Sequence, residues 1–427
     1  MIGGSLLSTS DRQYRFVIKL FGHFRKYYKR NNLYSHIVYE FTLPDYKGNS
    51  IINLMSSISH SFGKKHDYSQ LKTLNSKELK KFKNIVLIVI DGLGYNYLKK
   101  QEKSFLLENL KTKMTSTFLS TTACANTSFS VGYPPQQHAL TGWDINLKEV
   151  GAITTILPFV AMYGSESLSK AKIEMNQIMD IKSFHKGFKG NCFTLLDKKI
   201  SNSPFTNYVS KDTKIIPTKT YKNTFTKLKE LIKKKSSKRR LIHAYIPELD
   251  SMTHKEGING KKVNYIFWDL DKRIKSLSKS VKGTNTLLLV VADHGLIDAE
   301  PKTEIWVENI KGLKECLTIP LAGEPRVRDV FVRPSKVKDF EKIVKTKMSK
   351  FCWCFKGEQL IKDNFYGLGT PNKKLFDRVG DYVLIMKENY VLRDKLANYE
   401  KSTKFHKGKH GGVSDDEMIV PLILIDC

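Results

Sequence analysis

Three short runs of apolar residues do most to limit how this chain can fold. They cover Asn84–Ile90, Leu241–Ile246 and Thr286–Ala292. Continuous apolar runs of this length are typical of strands that are buried on both faces of a parallel sheet. Ligands bind beyond the carboxyl ends of such strands, so the polar residues that follow each run are candidates for a functional site. The pattern predicts a doubly wound α/β fold, in which helices cover both faces of a mostly parallel central sheet.

The length of 427 residues suits one large α/β domain that carries insertions. We expect a basic N-terminal extension over residues 1–43 and one domain over residues 44–427. Within that domain, lysine-rich and less regular segments predict inserted lobes at about 151–239 and 301–400. The sequence holds no stretch of 18 apolar residues, so no transmembrane segment is predicted.

The charge of the chain is strongly positive, with 72 Lys and Arg against 42 Asp and Glu. This excess favours polyanionic partners such as nucleotides, nucleic acids or anionic membranes. However, only 12 of the basic residues are arginines, whereas dedicated phosphate and nucleic-acid binders favour the Arg fork. An A/T-rich genome also produces lysine-rich surfaces, so the charge supports a nucleic-acid partner only weakly.

The six cysteines show neither a disulfide framework nor a paired CxxC motif. The N-terminus lacks a basic segment followed by a long apolar stretch, so no secretory signal is predicted. Both observations favour a reducing compartment, and we expect a cytoplasmic protein.

Three Asp and three His residues follow the predicted strands or precede another one. Asp250 and His254 are four residues apart, so one turn of helix can present both side chains to one ion. Asp293 and His294 are adjacent at the end of a strand, where polar side chains are costly unless something binds them. Carboxylates and imidazoles together suit a two-metal site, and imidazoles suit zinc in particular. The six residues are Asp91, Asp250, His254, Asp293, His294 and His410.

A nucleophile is predicted within the segment Ser120–Ser128, which is rich in small and hydroxyl residues. A hydroxyl at a helix N-terminus meets the positive end of the helix dipole and free N–H groups, which favour its alkoxide and a bound phosphate. Any one of these hydroxyls could instead be an N-cap. Cys124 is an alternative nucleophile, but no local pattern supplies the His base that a thiolate usually requires.

The order of these motifs resembles the alkaline phosphatase superfamily. It runs from Asp91-Gly through Thr-Thr-Ala, Asp-x3-His and Asp-His-Gly to His-Gly-Gly-x-Ser. Within the superfamily, the chain looks like the type I phosphodiesterase/nucleotide pyrophosphatase branch, from about Pro44 to Cys427. The resemblance implies an alkaline-phosphatase-like catalytic domain and two zinc ions per chain.

The resemblance also implies roles for individual residues. Thr122 matches the nucleophilic threonine, Tyr245 matches a family tyrosine at the site, and His138 matches a structural histidine. Glu248 is expected to support the site rather than bind metal. One zinc site matches Asp91, Thr122, Asp293 and His294, and the other matches Asp250, His254 and His410.

The chain departs from the family pattern at the residue expected to bind a phosphate oxygen. The family has Asn three residues after the nucleophile, where this chain has Ala125, and Asn126 comes one residue later. One residue turns a helical side chain by ~100°. The oxygen is therefore expected to be bound by Asn126 in altered geometry, by the Ala123 N–H, or by metal alone.

The function implied by the resemblance is hydrolysis of a phosphodiester or pyrophosphate, such as a small nucleotide-like substrate. The alternatives are a phosphomonoesterase, a phosphono-ester or phosphoryl-transfer enzyme of the same superfamily, or a polyanion-binding protein with a basic surface. Monoesterases tend to add a cationic group, often Arg, beside the phosphate. Arg273 is the one arginine within thirty residues of Thr122, Asp91 or His294, so diesters are the predicted substrates. Arg326 and Arg328 could reach the site from the second lobe.

Overall fold

The three apolar runs form neighbouring strands in the computed structural model, which describes residues 41–395 and 405–427. They belong to a seven-stranded central sheet with the order β2-β18-β9-β1-β8-β6-β7. Six strands point the same way and β18 is antiparallel, so the predicted fold class is confirmed. The strands are β1 (Asn84–Ile90), β2 (Leu110–Thr115), β6 (Asn191–Asp197), β7 (Lys214–Thr218), β8 (Arg240–Ile246), β9 (Thr286–Val291) and β18 (Ile419–Asp426).

Helices cover this sheet, and every residue of β1 is buried as a result. The longest helix, α11, is amphipathic and packs Val263, Phe267 and Ile274 against the sheet core, because apolar residues recur every three or four positions. The described helices are α1 (Ile51–Ser61), α2 (Ser76–Leu79), α3 (Tyr95–Lys99), α4 (Phe105–Glu108), α5 (Thr122–Val131), α6 (Pro135–His138), α7 (Met175–Ile178), α8 (Pro204–Val209), α9 (Tyr221–Lys233), α10 (Glu248–Glu256), α11 (Lys261–Ser280), α12 (Val337–Ile343), α13 (Gly357–Lys362), α14 (Leu375–Arg378) and α15 (Asp415–Met418).

A second sheet is built from sequence-distant hairpins and is antiparallel throughout. Its order is β14-β15-β13-β12-β3-β4-β5. Two further pairs, β10 with β17 and β11 with β16, complete the described strands. The remaining bounds are β3 (Asp144–Leu147), β4 (Ala152–Thr155), β5 (Val160–Ala161), β10 (Ile297–Asp298), β11 (Glu304–Trp306), β12 (Ala322–Glu324), β13 (Val327–Val330), β14 (Cys352–Lys356), β15 (Tyr382–Met386), β16 (Val391–Arg393) and β17 (Gly408–Lys409).

Two strands of the central sheet lie within one of the segments predicted as insertions. Residues 191–218, which the sequence places inside the insertion at 151–239, extend the central sheet beyond β8 as β6 and β7. These outer strands are only partly buried, and β7 carries Lys214 and Pro217. They therefore lack the continuous apolar pattern that reveals a central strand. The outer bounds of both insertions stay a prediction.

Three other expectations concern the chain as a whole. Residues 1–40 of the predicted basic extension lie outside the described residues. Among the described helices, none is long and apolar enough to cross a membrane. All six cysteines are free thiols, while the cytoplasmic compartment stays a prediction.

Candidate active site

The predicted metal ligands meet at the carboxyl ends of β1, β8 and β9. Asp91 directly follows β1, and Asp293 and His294 follow β9 after one residue. The ligand atoms of these three residues all lie within 4.8 Å of one another. His294 Nε2 is 3.3 Å from Asp91 Oδ1 and 3.8 Å from Asp293 Oδ2. Neighbouring parallel strands thus bring together residues that are far apart along the chain.

A second group lies beside the first and shares His294 with it. Its ligand atoms, from Asp250, His294 and His410, also lie within 4.8 Å of one another. His254 is one helical turn from Asp250 in α10, and its Nε2 lies 3.2 Å from Asp250 Oδ2. The Nδ1 of His254 is 2.8 Å from the carbonyl oxygen of Gly408, which orients the ring. All six predicted metal ligands are therefore in one place.

His410 reaches this site because glycines let the surrounding loops approach closely. Its ring stacks on that of His294, with centroids 3.9 Å apart. A Cβ atom on Gly295 would lie 2.0 Å from the carbonyl oxygen of Asp416, and one on Gly412 would lie 2.6 Å from a carboxylate oxygen of Glu417. A side chain at either glycine would force these loops apart.

Burial strongly perturbs the carboxylates of the site. Burial and the neighbouring Asp293 and Asp250 raise the pKa of Asp91 well above its usual range. Burial also raises the pKa of Asp293. For Asp250, burial would raise the pKa, but the neighbouring His254, by its charge and its hydrogen bond, and to a smaller extent His410 and His294 outweigh burial and lower that pKa.

Two carboxylate oxygens in this cluster, Asp91 Oδ1 and Asp250 Oδ1, are buried without a hydrogen-bond partner. Uncompensated buried acceptors are costly, and a bound cation would stabilise both oxygens. The residues therefore fit divalent metal ions.

Thr122 presents its hydroxyl to the ligand cluster. It is the first residue of α5, and its Oγ1 lies 3.1 Å from His294 Nε2. The hydroxyl of Thr121 instead donates to Glu324 Oε1 at 2.6 Å. Cys124 is fully buried, and burial raises the pKa of its thiol well above the usual range. The thiol therefore stays protonated, which argues against Cys124 as the nucleophile.

Asn126 and Tyr245 also lie at the site. Asn126 is four residues after Thr122 in α5, so both side chains share one helix face. Its Nδ2 lies 3.3 Å from Asp293 Oδ2. The Tyr245 hydroxyl donates to Asp91 Oδ2 and so orients a predicted metal ligand. Ala125, at the position where the family has Asn, is fully buried.

The two residues expected to have supporting roles make contacts away from the ligands. His138 Nε2 lies 3.2 Å from Ser128 Oγ, and its Nδ1 accepts from the Leu140 N–H at 3.1 Å. Glu248 Oε1 accepts from the Tyr221 N–H at 3.2 Å. These contacts fit structural roles.

A cavity of about 1010 Å³ opens from the ligand cluster. Sequence reasoning missed Trp143 and Glu324 in its wall, because these residues belong to no recognisable motif and Glu324 lies far from Thr122 along the chain. Arg328 also lines the cavity. Arg326 does not, since its guanidinium forms a buried ion pair with Glu417.

The fold and the ligand cluster define an enzyme of the alkaline phosphatase superfamily. The model of the type I phosphodiesterase/nucleotide pyrophosphatase family matches residues 85–413. The chain belongs to this family of metal-dependent phosphodiester hydrolases.

Solved structures show the same fold at low sequence identity. Murine ectonucleotide pyrophosphatase/phosphodiesterase 5 is 17% identical with a TM-score of 0.60, and the match covers 79% of this chain and 87% of that one. An inactive threonine-to-alanine variant of that murine protein, in complex with AMP, is 18% identical with a TM-score of 0.58, at 79% and 87% coverage. Phosphonoacetate hydrolase from Sinorhizobium meliloti 1021, in complex with phosphonoformate, is 15% identical with a TM-score of 0.58, at 80% and 89% coverage. A search of curated protein sequences finds no match.

Proposed function

We propose that this protein hydrolyses phosphodiesters or pyrophosphates of a nucleotide-like type, with Thr122 as the nucleophile and two divalent metal ions, zinc in particular. The observation that carries the proposal is the 3.1 Å separation of Thr122 Oγ1 and His294 Nε2, beside two adjacent groups of metal-binding side chains. A hydroxyl in that position at a helix N-terminus can lose its proton and attack phosphorus.

The two ions would be held by ligands from different strand ends. Mixed imidazole and carboxylate ligands suit zinc. When bound, the ions supply Lewis acidity and neutralise the charge on the attacking and leaving oxygens. One set of ligands is Asp91, Thr122, Asp293 and His294, and the other is Asp250, His254 and His410.

The reaction proceeds by two displacements at phosphorus. The Thr122 hydroxyl loses its proton and its oxygen forms a bond to phosphorus, while the bond from phosphorus to the leaving alcohol or phosphate oxygen breaks and that oxygen takes up a proton. A water molecule then attacks the threonyl phosphoester, and Thr122 leaves with a proton. Asn126 Nδ2, on the same helix face as Thr122, donates to a non-bridging oxygen in this proposal. Tyr245 keeps Asp91 oriented through its hydroxyl.

The charges beside the nucleophile favour a diester over a monoester. The side chains that contact Asp91 and Asp293 include the neutral donors Tyr245 and Asn126. Of the two arginines that could have met the extra charge of a monoester, Arg326 is engaged by Glu417 instead. Arg328 lines the cavity but forms no hydrogen bond or ion pair with Asp91, Asp293 or Thr122 among the described residues. The AMP bound to the inactive threonine-to-alanine variant of the murine relative supports both a nucleotide-like substrate and a threonine nucleophile.

The proposal is tested with zinc-loaded protein and two aryl substrates at one pH. We expect a higher kcat/KM for bis(4-nitrophenyl) phosphate than for 4-nitrophenyl phosphate, and elemental analysis approaching two zinc ions per chain. A clear preference for the monoester would favour the phosphomonoesterase alternative. Full activity in the presence of a strong chelator would refute the metal-dependent mechanism.

A further inference from the structure

Arg328 is a buried arginine in the wall of the cavity that contains Thr122. It lies on β13, and only 6% of its surface is exposed. A buried guanidinium is costly unless its N–H groups find partners. The partners of Arg328 therefore indicate what this side chain is for.

The guanidinium of Arg328 uses one of its five N–H donors. Its Nε donates to the carbonyl oxygen of Leu392 at 2.9 Å. Among the described residues, nothing else hydrogen-bonds it or forms an ion pair with it. Its two Nη groups are not among the buried, unpartnered polar atoms of the described residues, and Arg328 lines the cavity.

Two equally buried arginines show how this chain satisfies a structural guanidinium. Arg326 donates to both carboxylate oxygens of Glu417, at 3.0 and 3.1 Å, and to two backbone carbonyls. Arg378 donates to the carbonyls of Ala139 and Ile178 and to Glu149. Arg328 lacks such a set, although it is buried to a similar extent.

The acidic residues near Arg328 do not supply the missing partners. Asp144, Glu324 and Asp394 attract its charge and offset part of the cost of burial. However, each carboxylate accepts a hydrogen bond elsewhere. The donors are Thr155 Oγ1 to Asp144 at 2.7 Å, Thr121 Oγ1 to Glu324 at 2.6 Å and the Leu321 N–H to Asp394 at 3.2 Å.

The position of Arg328 in the second sheet brings it to the cavity of the nucleophile. Arg328 pairs with Gly323 of β12, and the next residue of that strand, Glu324, contacts Thr121 beside the nucleophile. Arg328, Glu324 and Thr122 all line this cavity.

We propose that Arg328 binds a second phosphoryl group of the substrate, beyond the phosphorus that Thr122 attacks. The two Nη groups form a planar fork that matches two oxygens of one phosphate. This inference rests on the proposed function and makes it more specific: the preferred substrate is a pyrophosphate rather than a simple diester.

The test compares two substrates of one nucleoside. Thymidine 5′-triphosphate has a charged pyrophosphate leaving group, whereas the 4-nitrophenyl ester of thymidine 5′-monophosphate has an aryl leaving group. We expect Arg328→Gln to lower kcat/KM for the triphosphate roughly 10- to 100-fold, the effect of a lost charge-assisted hydrogen bond. The kcat/KM for the aryl ester should change less than about threefold. For the triphosphate, the kcat/KM of Arg328→Lys should lie between those of the wild-type protein and Arg328→Gln, because lysine keeps the charge without the fork.

Arg333→Gln is the matched control. Arg333 is exposed, and its Nε also donates to a backbone carbonyl, that of Leu317, at 2.9 Å. It does not line the cavity, so both substrates should be turned over normally. Equal losses on the two substrates in Arg328→Gln, or an unchanged rate on the triphosphate, would overturn the proposal.

A binding measurement separates this proposal from the proposed function. In zinc-loaded Thr122→Ala protein, calorimetry should show tighter binding of thymidine 5′-triphosphate than of thymidine 5′-monophosphate. Adding Arg328→Gln should remove most of that difference, while adding Arg333→Gln should not. A difference that survives Arg328→Gln would refute the assignment. Absence of turnover in the wild-type protein would refute the proposed function. The binding result would then decide whether Arg328 binds a second phosphoryl group.

Discussion

Thr122 differs from its hydroxyl and thiol neighbours in what surrounds it. It begins α5 at the positive end of the helix dipole, and its Oγ1 faces His294 Nε2 at 3.1 Å. The Thr121 hydroxyl donates a hydrogen bond to Glu324, and Cys124 is buried. Three neighbouring candidates in the sequence therefore have distinct environments in the structure.

Thr122→Ala is expected to lower kcat by about three orders of magnitude or more, because only water activated at the metal ions remains to attack phosphorus. Steady-state kinetics on the aryl diester measure the loss, and zinc analysis and circular dichroism check metal content and fold. Cys124→Ala is the control and should keep near-normal kcat. The assignment fails if Thr122→Ala turns over normally, or if Cys124→Ala abolishes turnover while Thr122 is intact.

Tyr245→Phe should weaken zinc binding roughly 10-fold or more, because the hydroxyl that orients Asp91 is lost. Competition with a fluorescent zinc chelator measures the affinity. Tyr97→Phe is a suitable control, since the Tyr97 hydroxyl is buried without a hydrogen-bond partner. Equal zinc affinity in Tyr245→Phe and wild-type protein would show that the hydroxyl does not support the metal site.

At the scale of elements, one acidic residue of α15 holds the loop that carries His410. Glu417 accepts from the Gly412 N–H at 2.9 Å and from Ser414 Oγ at 2.7 Å. It also pairs with Arg326, which comes from the turn between β12 and β13. The second sheet and the end of the central sheet are thus linked at the metal site.

Glu417→Gln is expected to destabilise the protein by about 3 kcal/mol, because it leaves the Arg326 charge buried without its partner. Urea denaturation measures the free energy of unfolding, and zinc affinity should fall in parallel as the His410 loop loosens. The double variant Arg326→Met/Glu417→Gln should recover part of the stability. Asp339→Asn, which breaks the exposed Lys336–Asp339 pair, should change neither quantity. Wild-type stability in Glu417→Gln would contradict this account.

At the scale of the whole molecule, metal binding should stabilise the fold. The ligands come from separate strands and loops that lie together only in the folded chain, so ions bind the folded state preferentially. Free zinc at 100 times its dissociation constant should add about 2.7 kcal/mol per ion. Calorimetric scans should therefore show a Tm that rises with zinc and falls with chelator. A Tm independent of both would contradict a metal site in the folded protein.

The contribution of Glu324 and Asp329 to the stability of the metal-free protein should fall as pH rises through neutrality. Burial raises the pKa of both carboxyls to about 7 in the folded protein. A carboxyl with a raised folded-state pKa stabilises the fold fully below its unfolded pKa, and that contribution is lost as pH rises through about 7. Buried histidines such as His138 and His243 have lowered pKa values and act in the opposite direction, so the test compares a variant with the wild-type protein. In thermal denaturation in chelator, the Tm of Asp329→Asn relative to the wild-type Tm should rise from about pH 5 to 8. A Tm difference that stays constant over this interval would refute the prediction.

Much of this molecule could be predicted from short stretches of sequence. The apolar runs around β1, β8 and β9 identified the centre of the sheet, because a strand buried on both faces must be apolar throughout. The polar residues that follow these runs were predicted as site residues, because polar side chains at the ends of buried strands require a binding partner. The choice of Thr122 and the pairing of ligands came from resemblance to the family.

The tertiary structure decided what depends on contacts between distant segments. The sequence pattern did not predict β6 and β7, because partly buried outer strands tolerate lysine and proline. Asn126 is one helical turn from Thr122, and only the packing of α5 beside Asp293 shows that its amide reaches the site. Arg326 and Arg328 are two residues apart, yet one meets Glu417 and the other faces the cavity. Their environments differ because the partners come from other parts of the chain, and local sequence carries no record of which groups folding will bring near.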